Sequence, residues 1–301
     1  MLHAMKDFCK EHSIPLCENE PMCRHTTFKI GGPADLFVLP GDAAQLQRVA
    51  EKANALGVPI FFLGNGSNLL VSDKGIEGVV VDLSRLNTIT VDGDTVTCGA
   101  GAMLSSLCIK AMEHSLSGLE FAYGIPGTVG GALYMNAGAY GGEMRDVVTG
   151  ARVLQPDGEV TERSAEEMHL GYRSSAFQNN REIILSVTCR LTPGDKSEIK
   201  AMMDDLLCRR KEKQPLEFPS AGSTFKRPEG YFAGALIEQN GLKGLRRGGA
   251  MVSEKHAGFV VNTGGATAAD VQAVIKEVQE TVLRQSGVLL EPEVLFVGRK
   301  D

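Results

Sequence analysis

The sequence predicts an α+β fold in three consecutive parts, and three observations carry that expectation. Residues up to 78 order themselves as strand, amphipathic helix, strand and glycine loop. Residues 79–195 mix short β-branched runs with few helices, the pattern of an α+β layer. The helix that opens residues 196–301 ends at a proline-marked break, Pro215 and Pro219, beyond which a separate set of helices and strands begins.

Residues 1–23 predict a short leading helix and a connector holding Pro15 and Pro21, and residues 24–33 lead into a strand over 34–39. Asp42 caps a helix that puts Leu46, Val49, Ala50, Ala53 and Leu56 on one face and stops at Gly57. The apolar run 58–63 reads as the next strand. Residues 79–83 and 95–98 are strand candidates separated by the turn pair Asp92-Gly93, and the helix 103–115 repeats apolar residues at helical spacing. A hairpin over 147–155 and 158–161 turns at Pro156-Asp157-Gly158, and 182–191 is a further strand. The helix 196–213 keeps Ile199, Met202, Met203, Leu206 and Arg210 in register. The last part predicts a loop over 220–228, a helix over 232–239, a strand over 258–262, a helix over 268–285 opened by a Thr267/Asp270 capping box, and a strand over 288–297.

Residues 124–143 hold seven glycines and one charged side chain. Glycine admits positive φ and lets a ligand approach the amides. Pro126-Gly127 reads as a tight turn, and Thr128 as the N-cap of a short helix over 129–135. A loop of free N–H groups facing a helix N-terminus would follow, which suits a phosphate or pyrophosphate. The competing reading is a glycine-rich packing corner. A second loop, Gly64-Asn65-Gly66-Ser67-Asn68, follows the strand 58–63 and favours the anion. Leu69 stands where the third glycine of G-x-G-x-x-G would be, so a bound nucleotide would not lie in a Rossmann cradle.

With 301 residues, a net charge of -6 and a pI near 5.6, the chain is expected to bind neither nucleic acid nor an anionic membrane. The basic clusters 209–213 and 243–247 are either solvated faces or attractors of a small anionic substrate. Seven cysteines without a C-x-x-C pair suit reduced thiols better than disulfides or zinc. No signal core opens the chain and no apolar run approaches membrane-spanning length, so a cytoplasmic location is expected.

Three further clusters complete the pattern: Gly171-Tyr172-Arg173-Ser174-Ser175, Ala221-Gly222-Ser223-Thr224-Phe225-Lys226 and Leu290-Glu291-Pro292-Glu293-Val294. With the two glycine loops they resemble the UDP-N-acetylenolpyruvoylglucosamine reductases of peptidoglycan synthesis, the MurB family, over nearly the whole chain. The resemblance implies an FAD-binding fold of the vanillyl-alcohol oxidase type. Its parts would be two α+β FAD-binding subdomains, 1–78 and 79–195, and a smaller α+β substrate domain, 196–301, with the strand near 290–301 a candidate to return to the first.

The same resemblance implies noncovalent FAD held by Gly64, Asn65, Gly66, Ser67, Asn68 and Leu69, and by Gly124, Ile125, Pro126, Gly127, Thr128, Gly130 and Gly131. Asn136, Ala137 and Gly138 would lie close by. It implies NADPH as co-substrate, entering the same cleft as the UDP-sugar, in a monomer without a metal. The family reaction passes a hydride from NADPH to FAD and on to the enolpyruvyl carbon. Arg173 and Glu293 would then stabilise the developing enediolate, Ser223 would supply the proton, and Lys226, Lys243 and Gln239 would contact substrate. Glu293 carries a conflict, because a donating carboxyl must be protonated while a neighbouring arginine favours the charged form.

Taken singly, Arg173 reads as a loop salt bridge, Ser223 as a turn or cap residue, Glu293 as an exposed strand position and the lysines as surface residues. His25, His114, His169 and His256 read as structural. Two departures stand out: Arg227 occupies a position where the family often has Asn, and the short segment between Tyr172 and Val187 matches the compact form without a tyrosine lid loop. The alternatives are another FAD-dependent oxidoreductase of this fold, such as a sugar or hydroxy-acid oxidase, and a nonenzymatic nucleotide-binding protein. The joint presence of Arg173, Ser223 and Glu293 argues against the second.

Overall fold

Local signals start most of the elements. In the computed structural model, which describes residues 1–300, helix α1 (Leu2–Glu11) buries Met5 and Cys9. Strands β1 (Leu16–Pro21) and β2 (Pro33–Val38) follow. Asp42 accepts a hydrogen bond from the Gln45 amide and so caps α2 (Ala43–Ala55), as its position predicts. Strands β3 (Ile60–Leu63), β4 (Leu69–Val71) and β5 (Ile76–Asp82) come next. Sheet order β1-β2-β5-β3, with β3 parallel to β5, packs Leu36, Val79 and Val81 into one core with Met5, Leu46 and Val49.

A second core lies against a five-stranded antiparallel sheet. Its strands are β6 (Ile89–Asp92), β7 (Thr95–Gly99), β8 (Val148–Leu154), β9 (Val160–Ser164) and β10 (Ile183–Arg190), in the order β9-β8-β10-β7-β6. Two helices cover it: α3 (Leu104–Glu113) buries Leu104 and Leu107, and α4 (Val129–Tyr134) buries Val129 and Leu133. A short helix α5 (Phe177–Asn180) anchors through buried Phe177, and α6 (Lys196–Lys213) follows β10. In α6 only Ile199 and Met203 are buried; Met202, expected on the core face, is 50% exposed because a single i,i+4 pair suffices for a helix otherwise bathed in solvent.

The third core gathers around α8 (Ala268–Ser286), which buries Val271, Val274, Ile275, Val278 and Val282 at helical spacing and carries the expected Thr267/Asp270 capping box. Helix α7 (Ala233–Gln239) and a small antiparallel sheet of β11 (Arg246–Arg247), β12 (Ala250–Val252) and β13 (Val260–Asn262) complete it. Strand β14 (Leu295–Val297) pairs in parallel with β4.

Two expectations change. The connector over 1–23 holds a strand, because Pro21 sits at its end rather than within it. The last strand is confined to Leu295–Val297, because the segment ahead of it pairs elsewhere, Pro292 bridging Phe225. The compact units are not contiguous along the chain: one comprises residues 1–18, 36–65 and 78–210, the other residues 19–35, 66–77 and 211 onward. Segments 19–35 and 66–77 thus cluster with the C-terminal residues, as the pairing of β4 with β14 requires.

Candidate active site

Within the first unit, the glycine-rich stretch turns into α4 at Thr128, whose Oγ1 accepts from the Gly131 amide at 3.3 Å. The free donors expected at this helix start are already engaged. Val129 N donates to Ala102 O and Gly130 N to Ala100 O, each at 2.8 Å. The open amides lie elsewhere: among the described residues, those of Gly124, Gly127 and Thr128 donate to no protein acceptor, nor do those of Gly64 and Asn65, and in the second unit those of Gly66 and Ser67 are likewise open. Ile125 N, by contrast, donates to Ala122 O. At Gly64 a Cβ would stand 2.5 Å from Thr128 Oγ1, so the glycine there lets the Thr128 side chain approach closely. Gly66 takes φ +59°, and a Cβ there would meet His25 O. Within the first unit, the open amides of Gly64, Asn65, Gly124, Gly127 and Thr128, beside glycines that leave room for a ligand, suit a phosphate group.

Sequence reading placed Arg210 within a basic cluster and in helical register with Ile199 and Met203, and gave it no role at a site. Its Cδ lies 3.2 Å from the Cβ position of Gly124, and it makes no ion pair among the described residues. Burial lowers its pKa, and the Tyr140 phenol opposes that shift. A half-buried guanidinium without a carboxylate partner attracts anions. The signal in the sequence was its helical register with Ile199 and Met203.

The Arg173 turn belongs to the same unit. Gly171 and Ser174 exchange two backbone hydrogen bonds, of 3.0 and 3.2 Å, and Arg173 between them takes φ +52°. This left-handed conformation is unfavourable for a side chain with a Cβ and is held only where its surroundings impose it. Arg173 Nη2 donates to Gly138 O at 3.2 Å, and the guanidinium lies 5.4 Å from the Tyr172 ring centroid. Asn136, fully buried, donates through Nδ2 to Gly171 O at 2.9 Å and to Glu143 Oε2 at 2.7 Å, while its Oδ1 accepts from Arg145 N. Its amide is therefore occupied in fixing this turn. Ala137 donates its backbone N–H to Ala132 O.

The second unit brings three sequence motifs together. Ser223 is exposed on a segment whose neighbours are fixed: Thr224 N donates to Gly258 O, and Thr224 Oγ1 accepts from Val260 N at 2.9 Å. Alongside it runs the Glu293 segment, where Glu293 N donates to Thr224 O and Lys226 N to Glu291 O, both at 2.8 Å. Asn68 joins them, donating through Nδ2 to Glu293 O at 3.0 Å and accepting from Leu295 N, while Leu69 pairs with Leu295. Lys226 pairs with Glu291 at 3.4 Å and Lys243 with Glu238 at 2.6 Å, and Gln239 is exposed at the end of α7. Such exposed ion pairs contribute little and exchange readily for an anionic ligand. Arg227 stacks over Phe232 at 4.0 Å from the ring centroid, and His25 Nε2 donates to Glu20 Oε1 at 2.9 Å. Among the described residues no cluster could hold a metal ion, and no helix is long and apolar enough to cross a membrane.

Comparison with known proteins agrees with this layout. Residues 34–164 match the family model of an FAD binding domain, and residues 214–297 that of the UDP-N-acetylenolpyruvoylglucosamine reductase C-terminal domain. Two curated relatives carry the name UDP-N-acetylenolpyruvoylglucosamine reductase. That of Agathobacter rectalis is 54% identical over 298 residues, 95% of each chain. That of Caldanaerobacter subterraneus subsp. tengcongensis is 51% identical over 300 residues, covering 100% of this chain and 99% of its own. The solved structure of the reductase (MurB) from Thermus caldophilus shares the fold with a TM-score of 0.82 at 37% identity, covering 94% of this chain and 98% of its own. This chain therefore belongs to the UDP-N-acetylenolpyruvoylglucosamine reductase family.

Proposed function

We propose that this protein is an NADPH-dependent flavoenzyme that reduces UDP-N-acetylglucosamine enolpyruvate to UDP-N-acetylmuramate for peptidoglycan synthesis, acting as a cytoplasmic monomer. The observation that carries the reading is the convergence of Asn68, Ser223 and Glu293 segments in one unit, beside a glycine loop with open amides. Noncovalent FAD fits residues 64–69 and 124–131, because the open amides there are donors in search of an anion and the glycines leave room for it. Bound there, the flavin would supply hydride transfer, taking a hydride from NADPH and delivering it to the enolpyruvyl carbon.

The chain's own residues do the rest. Hydride addition leaves negative charge on the neighbouring carbon and its carboxylate, and a preorganised cation lowers the energy of that charge where it develops. Arg173 is that cation, and its orientation is fixed before substrate arrives. Ser223 Oγ donates the proton to the carbon beside the carboxylate; a serine hydroxyl is a weak acid, but that carbon is a strong base. Glu293 completes the stabilisation of the enediolate. Arg210, Lys226, Lys243 and Gln239 attract and orient the anionic parts of the ligands.

The test is a single anaerobic titration. The purified protein should be yellow, bleach on addition of NADPH, and recover its absorbance when UDP-N-acetylglucosamine enolpyruvate is added. Bleaching without recovery would remove the assigned substrate, and a colourless protein that binds no FAD would remove the reading altogether.

A further inference from the structure

We propose that Gln178 is a positioning residue for Arg173, its carboxamide tying the strained Arg173 turn to the end of α4. The inference rests on the catalytic reading of Arg173 given above. Gln178 Nε2 lies 3.1 Å from Arg173 O and 3.1 Å from Tyr134 O, so its two hydrogens reach the carbonyl of the arginine itself and the last carbonyl of α4. Tyr134 O is one of the helix-end acceptors that no intrahelical amide can satisfy. Ser175 Oγ donates to the same oxygen at 2.7 Å, which pins the residue after the turn to the same point.

The turn is thus gripped at two carbonyls by two amide side chains: Gly171 O by Asn136 at 2.9 Å, and Arg173 O by Gln178. Because the carbonyl orientation at Arg173 follows its ψ angle, fixing both carbonyls fixes the path on which the guanidinium leaves the backbone. That path is confirmed at its far end by the bond from Arg173 Nη2 to Gly138 O. The two clamps differ in what else they hold. Asn136 is fully buried and also binds Glu143 and Arg145, so its loss would disturb the fold. Gln178 is partly exposed on α5, whose anchor in the core is Phe177, and its side-chain amide reaches only the turn and the end of α4, at Arg173 O, Tyr134 O and Met135 Sδ. A change at Gln178 therefore loosens the arginine without removing a core element.

Three substitutions separate positioning from stability. Gln178→Ala removes the donors, Gln178→Glu replaces them with a carboxylate facing two carbonyl oxygens, and Gln178→Lys restores donors on an ammonium group. In the full chain with bound FAD, flavin content and the rate of NADPH bleaching should stay within about twofold of the parent in all three, because neither depends on Arg173. Reoxidation by the enolpyruvyl substrate should slow by about 10- to 100-fold in the Ala variant, the scale expected for a misplacement near 1 Å. It should slow further in the Glu variant and recover to within about fivefold in the Lys variant, an order set by donor capacity. Hydrogen exchange at the Ser174 amide, which closes the turn onto Gly171 O, should accelerate in the Ala and Glu variants and not in Lys. Equal slowing of both half-reactions, a Lys variant as slow as Ala, or unchanged exchange at Ser174 would each overturn the proposal. If the parent itself bleaches but does not recover, the substrate assignment fails, while the exchange series still decides whether Gln178 holds the turn.

Discussion

Gly64 offers a quantitative probe of the cradle, because the structure says what any side chain there must displace. In Gly64→Ala the new methyl would lie 2.5 Å from Thr128 Oγ1 but 3.6 Å from both Thr128 carbons, so the clash is with the hydroxyl alone. That hydroxyl caps α4 through the Gly131 amide, and moving it forfeits the cap. Cap loss costs about 1 kcal/mol and overpacking a further 1–3 kcal/mol, which gives about 2–4 kcal/mol for the variant. Thr128→Ala loses the cap without the clash and should cost about 1 kcal/mol. In the double variant the methyl meets no hydroxyl, so the pair should cost about 1–2 kcal/mol, less than the sum, with a coupling of about 1–4 kcal/mol. The chain has no tryptophan, so urea unfolding of the flavin-free protein is followed by far-UV circular dichroism, with hydrogen exchange at Gly131 reporting the cap directly. Strictly additive costs would show that Gly64 and Thr128 do not meet, and the cradle geometry would fall with them.

Ser223→Ala should leave NADPH bleaching unchanged and slow reoxidation by substrate about 100- to 10,000-fold, the range for a lost general acid; equal slowing of both steps would end the proton-donor role. His256 accepts from the Gly258 amide through Nδ1, and burial, followed by the nearby Lys243, lowers its pKa. A base with a depressed folded pKa binds protons better when unfolded, so stability is full above the ordinary histidine value near 6.5 and declines as pH falls below it toward the folded value. His256→Asn, whose amide oxygen can still accept, should flatten that decline in denaturation midpoints measured across the range, and an unchanged slope would count against it. Among the cysteines, Cys17, Cys23 and Cys208 should react with a disulfide reagent at pH 8 in the native protein. Buried Cys9 and Cys98, whose thiols burial pushes up to about 11 and about 12, should react only after unfolding; prompt reaction of either would contradict their packing.

Features with a local cause were readable from the sequence. Asp42, Thr128 and Thr267 cap their helices because a side-chain oxygen needs only an amide two or three residues on. The apolar spacing of α8 survives intact because that helix has one buried face. What escaped notice depends on distant partners. The amides of Val129 and Gly130 looked open in sequence, yet carbonyls of Ala102 and Ala100 take them, and nothing within the glycine stretch announces that pairing. The run 288–297 has strand composition, but its middle bridges Phe225 at Pro292 and only its last three residues pair with β4, a change of partner the composition does not announce. Arg210 stood among basic neighbours, and only its proximity to Gly124 distinguishes it. Gln178 carries no signal at all, since a glutamine after a turn is unremarkable until its carbonyl partners are known.

The two side chains proposed to act on the substrate, Ser223 and Arg173, are supported in different ways, and the difference decides where each is vulnerable. Ser223 stands on backbone that main-chain bonds hold on both flanks, before it by the bond from Asn262 N to Pro219 O and the Ser220 bridge to Val261, after it through Thr224 to Gly258 and Glu293 and through Lys226 to Glu291. Those bonds do not involve the serine hydroxyl, so its removal leaves the segment in place and the lost rate reports chemistry. Arg173 stands in a conformation its own backbone disfavours, and side chains of Asn136 and Gln178 keep it there. Substitutions that never touch a ligand can therefore misdirect the arginine, whereas few outside its own position can misdirect the serine. A random-mutagenesis screen for variants that bleach normally but fail to recover should accordingly return distant hits clustered around the Arg173 turn, and an even scatter around both residues would show that this division of support is wrong.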